Sequence, residues 1–231
     1  PELTVLPGTV TLRSMKFFEP SESPRVKICG LRSLENSREV IDAGADAIGL
    51  NFWPRSKRFI APEEAATWLG ELAGQVCRVG LFVDASIDEI EAAVDLCVLD
   101  ALQLHGKESP EFCDEVSAFG LPVIKAIGVS GDQLVHDPTE FAQTHWLLDA
   151  FDPKQFGGTG KAFRWEVAKR VMAENPGKLV ILAGGLTPEN VADAVRAVSP
   201  HAVDTASGVE SAPGIKDPEL VRQFVTNAAK L

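Results

Sequence analysis

LVILAGGLTPENVADAVRAV, residues 179–198, contains one structural unit of this chain from end to end. LVIL opens it as an unbroken apolar run, the pattern of a strand covered on both faces in a parallel sheet. Gly184 and Gly185 follow, where the chain turns. Thr187 before Pro188 then begins TPENVADAVRAV, whose apolar positions recur at helical spacing. The same strand–turn–helix order recurs along the sequence. Strands are predicted at 26–30, 47–52, 78–84, 101–106, 122–129, 146–150, 179–185 and 202–208. Helices are predicted at 33–45, 61–72, 86–96, 109–120, 131–145, 163–175, 187–198 and 217–231, the fifth with the least regular spacing. Ser33 suits a helix start, Pro62 a first turn, and Ser86 with Glu89 a capping box. Eight units without a composition break predict an α/β protein, a single (β/α)8 TIM barrel over residues 25–231. A doubly wound open sheet is the alternative, but no GxGxxG follows the first strand.

Composition narrows the function classes. The 231 residues are 45% hydrophobic and 24% charged, with a formal net charge of −11. Such a surface repels phosphate backbones, so no nucleic-acid partner is expected. No apolar run approaches the length of a membrane span, and no membrane partner is expected. Residues 1–24, with broken apolar content and several Pro and Ser, do not form a signal peptide and are expected to be a poorly ordered extension. Cys29, Cys77, Cys97 and Cys113 show no CxxC pairing, so no metal is expected, and reduced thiols in a cytoplasm are the default.

A barrel of this type carries its active site at the C-terminal strand ends. Here those ends are more polar than the strands: Cys29, Asn51, Asp84, His105, Asp149, Gly184–Gly185 and Asp204 with Ser207–Gly208. Buried polar groups cost free energy unless paired, so a pure core would not place them there. Lys27 lies two residues before Cys29 and shares its face. It either lowers the thiol pKa or pairs with an acid such as Asp204; both readings hold together. Cys29 by itself is equally readable as inert packing. Asp149 after WLLDA suits a desolvated general acid or a loop cap. Gly157, Gly158 and Gly160 in FDPKQFGGTGKAF (151–163) suit a mobile lid or a plain surface loop. AGG (183–185) before a helix, and the small-residue turn ASGVE (206–210), suit phosphate binding after the seventh and eighth strands. Arg58 in PRSKRFI is either a carboxylate fork or part of a solvated charge run. His105 is either a core histidine or a ligand contact.

VKICGL, GLNFWPRSKRFI, VGLFVD, LQLHG, VIKAIGV, LLDAFDPKQFGGTGKAFRW, LAGGLTPENV and DTASGVESAPGIKD follow in order. Together, over residues 25–231, they resemble the phosphoribosylanthranilate isomerases of tryptophan biosynthesis. The resemblance implies an Amadori rearrangement of N-(5′-phosphoribosyl)anthranilate, a small phosphosugar, without a cofactor. It implies that Cys29 is the general base, Asp149 the general acid and Arg58 the anthranilate-carboxylate contact. It places Gly184, Gly185, Ser207 and Gly208 at the phosphate. Lys27, Gln103, His105 and Asp204 are then expected to line the substrate pocket, and the assembly is expected to be a monomer or homodimer. Two departures stand out. Ala206 replaces a hydroxyl in the family's DVSSGVE pattern, and Asn51 with Trp53 replaces an FVF-type strand end. The nearest alternatives are a related or bifunctional isomerase of histidine biosynthesis, which resembles the same barrel but has Asp in place of Cys29, and a non-catalytic phosphometabolite-binding barrel.

Overall fold

The computed structural model describes residues 15–150 and 165–230. Eight strands close into a barrel: β1 Arg25–Cys29, β2 Ala47–Asn51, β3 Cys77–Phe82, β4 Ala101–Leu104, β5 Val123–Ser130, β6 His145–Ala150, β7 Leu179–Leu182 and β8 Ala202–Thr205. Each pairs in parallel with the next, β8 returns to β1, and β4–β5 completes the ring. Among the described residues seven α-helices cover the outside: α1 Leu34–Asp42, α2 Pro62–Leu69, α3 Ile87–Leu96, α4 Pro110–Ser117, α5 Trp165–Glu174, α6 Val191–Val198 and α7 Pro218–Ala228. Ser33 caps α1 as predicted, Ser86 with Glu89 forms the predicted capping box, and Ser109 caps α4.

The expected fifth helix, 131–145, is absent. Gly131 at φ 59° turns the chain back, and Gln133–Leu134 pairs antiparallel with the end of β5. Asp137 precedes a proline, which disfavours helical backbone there, and its side chain instead caps a short 3₁₀ turn at Pro138–Glu140. Phe141 then buries itself where a helix would have packed.

Two apolar layers result. Leu, Ile and Val from the outward faces of the strands pack under the helices. Inside the barrel's lower half sit smaller residues, among them Ala47, Cys77, Val79, Ala101, Leu147 and Ala202. Cys77, Cys97 and Cys113 are buried and free, as inert packing requires.

Within residues 15–24, Phe17 and Phe18 pack against the barrel. Phe17 is 1% exposed and belongs to the inner cluster at the barrel's N-terminal end. His201 Nε2 lies 2.8 Å from the Phe17 carbonyl oxygen, and Phe18 packs edge-on against His145 with centroids 4.6 Å apart. Small side chains at the bottom of the lumen leave a hole that an aromatic ring fills, and the burial of that ring offsets the ordering of the segment.

Candidate active site

Alternation along β1 points Lys27 and Cys29 into the barrel. Register sets Lys27 beside Asp204 of β8 and Cys29 beside Gly49 of β2. Lys27 Nζ, fully buried, donates to Asp204 Oδ1 at 2.8 Å. A Cβ on Gly49 would stand 2.7 Å from Cys29 Sγ and 3.2 Å from Lys27 Nζ, so glycine leaves room for both groups. Burial tends to lower the Lys27 pKa, but Asp204 and Cys29 outweigh it, and the lysine stays charged. Burial pushes the Cys29 thiol up, and the pull of Lys27 does not reverse it. Lys27 does lower the thiol pKa, as expected, but burial outweighs it. Desolvation acts on the same atoms that Lys27 approaches, and Asp204 adds an upward push of its own.

Across the mouth stands Asp149, on β6 and 8% exposed. Its Oδ2 lies 3.1 Å from His105 Nε2, and His105 Nδ1 lies 2.8 Å from Gln103 Nε2. With the Gln103 amide donating, the imidazole donates to Asp149 through Nε2–H; this tautomer is assigned from the network. Gln103 and His105 therefore hold the carboxylate in place from within the barrel wall.

Cys29, Asp149, Arg58, Gln103, His105 and Asp204 line one pocket, together with Asn51, Trp53, Ser56, Leu81, Val83 and Ala206. Lys27 sits immediately beneath. Arg58 does not stand alone: its Nε and Nη2 donate to the two oxygens of Glu210, each at 2.7 Å. Glu210 and Lys216 are the residues that sequence reading missed. Glu210 ends the ASGVE turn motif, whose small residues carry no signal for an ion pair with Arg58. Asp84, a polar strand end, turns away from the pocket at φ 50°, and its carboxylate accepts the Lys107 N–H. It borders a larger, mainly apolar cleft lined by Phe52, Trp53, Phe82 and Leu96, which holds neither Cys29 nor Asp149.

The two small-residue turns lie against one another. Gly184 and Gly185 adopt φ 84° and 69°, which only glycine does cheaply. A Cβ on Gly184 would stand 2.7 Å from the Ala150 nitrogen and 3.2 Å from Asp149 Oδ1, so this turn adjoins the carboxylate. A Cβ on Gly208 would stand 2.0 Å from the Leu186 carbonyl oxygen. Thr205 Oγ1 donates to that same oxygen at 2.7 Å. Ser207–Val209 forms a single 3₁₀ turn with Ser207 exposed. The expected helix start at Thr187 shifts: α6 begins at Val191. Asn190 instead closes a turn, accepting from Thr187 N at 2.8 Å and donating to Gly185 O at 2.9 Å. An anion here would meet backbone N–H groups of the two turns, a concave nest of donors. The predicted lid glycines Gly157, Gly158 and Gly160 lie outside the described residues.

The family model for N-(5′-phosphoribosyl)anthranilate isomerase matches residues 26–227. An N-(5′-phosphoribosyl)anthranilate isomerase from Geotalea uraniireducens is 48% identical over 207 residues, covering 90% of this chain and 99% of the relative. The crystal structure of the Thermotoga maritima phosphoribosylanthranilate isomerase superposes with a TM-score of 0.79 at 41% identity, covering 90% of this chain and all of that one. A further Thermotoga maritima structure, of monomers generated from a dimeric isomerase, superposes at 0.76 with 38% identity and the same coverage. So does a phosphoribosylanthranilate isomerase bound to reduced 1-(o-carboxyphenylamino)-1-deoxyribulose 5-phosphate, at 0.76 and 39% identity.

Proposed function

The chain belongs to the N-(5′-phosphoribosyl)anthranilate isomerase family, and from that premise we propose that Cys29 and Asp149 carry out its reaction as general base and general acid. The enzyme converts N-(5′-phosphoribosyl)anthranilate into 1-(2-carboxyphenylamino)-1-deoxyribulose 5-phosphate, an aldose-to-ketose rearrangement within tryptophan biosynthesis. The reaction moves one proton onto the furanose ring oxygen and takes one from C2′, so it needs an acid and a base at separate points of the sugar. Asp149 gives its proton to the ring oxygen; the ring opens to a Schiff base. Cys29 as thiolate removes the C2′ proton, and the resulting enolamine tautomerises to the ketose. Lys27 offsets the negative charge that Cys29 carries in that step. The single observation that carries the reading is that one pocket, in a chain of this family, brings Cys29 and Asp149 together from opposite strands β1 and β6.

The substrate has an anion at each end. Backbone groups at Gly184, Gly185, Ser207 and Gly208 bind its phosphate, and Arg58 binds the anthranilate carboxylate through donors that Glu210 leaves open. Asp204 fixes Lys27, while His105 and Gln103 fix Asp149. Residues 25–231 are the catalytic domain and residues 1–24 an N-terminal extension. The enzyme works in the cytoplasm, as a monomer or homodimer; among the described residues no helix is long and apolar enough to cross a membrane.

The test is turnover of N-(5′-phosphoribosyl)anthranilate by the purified chain, by Cys29→Ser and by Asp149→Asn. Loss of at least about a hundredfold in each variant is expected for removing an acid or base. Turnover that survives both changes would keep the substrate and reject the two roles. No turnover by the wild type, with phosphate analogues still bound, would favour the non-catalytic barrel.

A further inference from the structure

Arg58 is held more tightly than an isolated substrate contact requires. Its stem crosses Gly30: a Cβ there would meet Arg58 Cδ at 2.4 Å, so the arginine lies directly on the backbone beside Cys29. Its guanidinium makes a two-bond fork with Glu210. Glu210 Oε1 also accepts from Lys216 Nζ at 2.8 Å and from the Gly214 N–H at 3.0 Å. Lys216 is fully buried and donates again, to the Ala206 carbonyl oxygen at 2.9 Å. The hairpin that carries both residues is clamped to α1, where Asn36 exchanges two hydrogen bonds with the Lys216 backbone at 2.9 and 2.8 Å.

Charge counting gives this arrangement a direction. Arg58 and Lys216 bring two positive charges and Glu210 one negative charge. Lys27 and Asp204 nearby cancel each other. Among these five groups one positive charge is left over, in a region that water reaches poorly, and such a charge is stabilised by an anionic partner. Glu210 also occupies the Nε edge of the guanidinium. The edge formed by Nη1 and Nη2 is then the one bidentate face left for a second carboxylate.

We propose that Glu210 and Lys216 are positioning residues that aim Arg58 at the substrate carboxylate. This rests on the reading of Arg58 as the carboxylate contact. The opposite possibility is concrete: Glu210 could act as a competitor for Arg58, and its loss would then tighten substrate binding.

Steady-state kinetics separate these. The substrates are N-(5′-phosphoribosyl)anthranilate and N-(5′-phosphoribosyl)aniline, which lacks the carboxylate. The proteins are wild type, Arg58→Ala, Glu210→Gln, their double variant and Lys216→Met. Glutamine at 210 keeps an acceptor for Lys216, and Lys216→Met carries the same test if Glu210→Gln does not fold. For Glu210→Gln, loss of a charged fork is expected to raise KM for the anthranilate substrate about tenfold. Because Glu210 does not touch the reacting atoms, kcat should move less than about threefold. KM for the aniline substrate should not change, and the double variant should be no worse than Arg58→Ala alone. A lower or unchanged KM would overturn the proposal, as would equal losses on both substrates, which mark a merely structural role. If Arg58→Ala leaves KM for the anthranilate substrate unchanged, the carboxylate reading itself fails and this inference fails with it. If Arg58→Ala raises KM and Glu210→Gln does not, only this inference fails.

Discussion

Cys29 must lose a proton in surroundings that oppose the loss. Burial raises its pKa, while Lys27 partly offsets that. Lys27→Met removes the offset, so the thiol should ionise only at still higher pH. Alkylation of Cys29 by iodoacetamide, followed by mass spectrometry across pH, should show the midpoint moving up. Gly208 is constrained by contact, not by φ: its missing Cβ is what lets the Leu186 carbonyl approach. Gly208→Ala should force the two turns apart and weaken phosphate binding by at least about tenfold, since backbone donors must be placed within a fraction of an ångström. Titration with inorganic phosphate or a sugar phosphate reads this directly, and unchanged affinity would remove Gly208 from the anion site. At the other end of the barrel, burial, His201 and Lys178 hold His145 down to about 4. The unfolded chain takes up that proton near 6.5, whereas the folded chain resists it. Stability is therefore complete above roughly pH 6.5 and declines as pH falls toward about 4. Urea denaturation at about pH 7 and about pH 5 should show this loss, and His145→Gln should flatten it.

Between elements, the strongest polar tie joins neighbouring strands outside the active site. Arg78 of β3 donates through Nε and Nη2 to Asp100, at 2.7 and 3.0 Å, and its backbone N–H donates to the same carboxylate at 2.9 Å. Both side chains are 1% exposed. Leaving one buried charge without its partner is costly, so Asp100→Asn should destabilise the fold by about 3 kcal/mol in denaturant titration. Arg78→Met with Asp100→Leu should lose less than the single change does, because no charge is then stranded. Periodicity could not disclose this pair: RVGLFVD reads as a strand whichever way Arg78 is neutralised. The fifth unit shows the reverse. Its spacing allowed a helix, but Gly131 and the Asp137–Pro138 step carried the turn chemistry that decided against one.

As a whole molecule, the barrel is closed by a residue from outside its eight units. Phe17 fills the N-terminal end of a lumen lined mostly by small side chains. Phe17→Ala should cost about 3 kcal/mol and lower the melting temperature by roughly 10 °C. The acid–base pair lies at the opposite end of the strands, so kcat should hold at temperatures where the variant remains folded. A fall in kcat without a fall in melting temperature would show that the segment acts on the site rather than on the core.

The sequence by itself determined the eight strand–turn units, the closed parallel architecture and the strand ends at which chemistry collects. These are local facts: alternation, helical spacing and turn residues act within a few positions of one another. It also marked Cys29, Asp149 and the glycine turns, because a polar or small residue ending an apolar run is visible without knowing its neighbours. Only the tertiary structure decided what those residues face. Arg58 meets Glu210 across 152 positions. Whether the pull of Lys27 or the burial of Cys29 prevails depends on how much water the closed barrel excludes. That balance is set by strand register and packing in three dimensions, and no spacing along the chain encodes it.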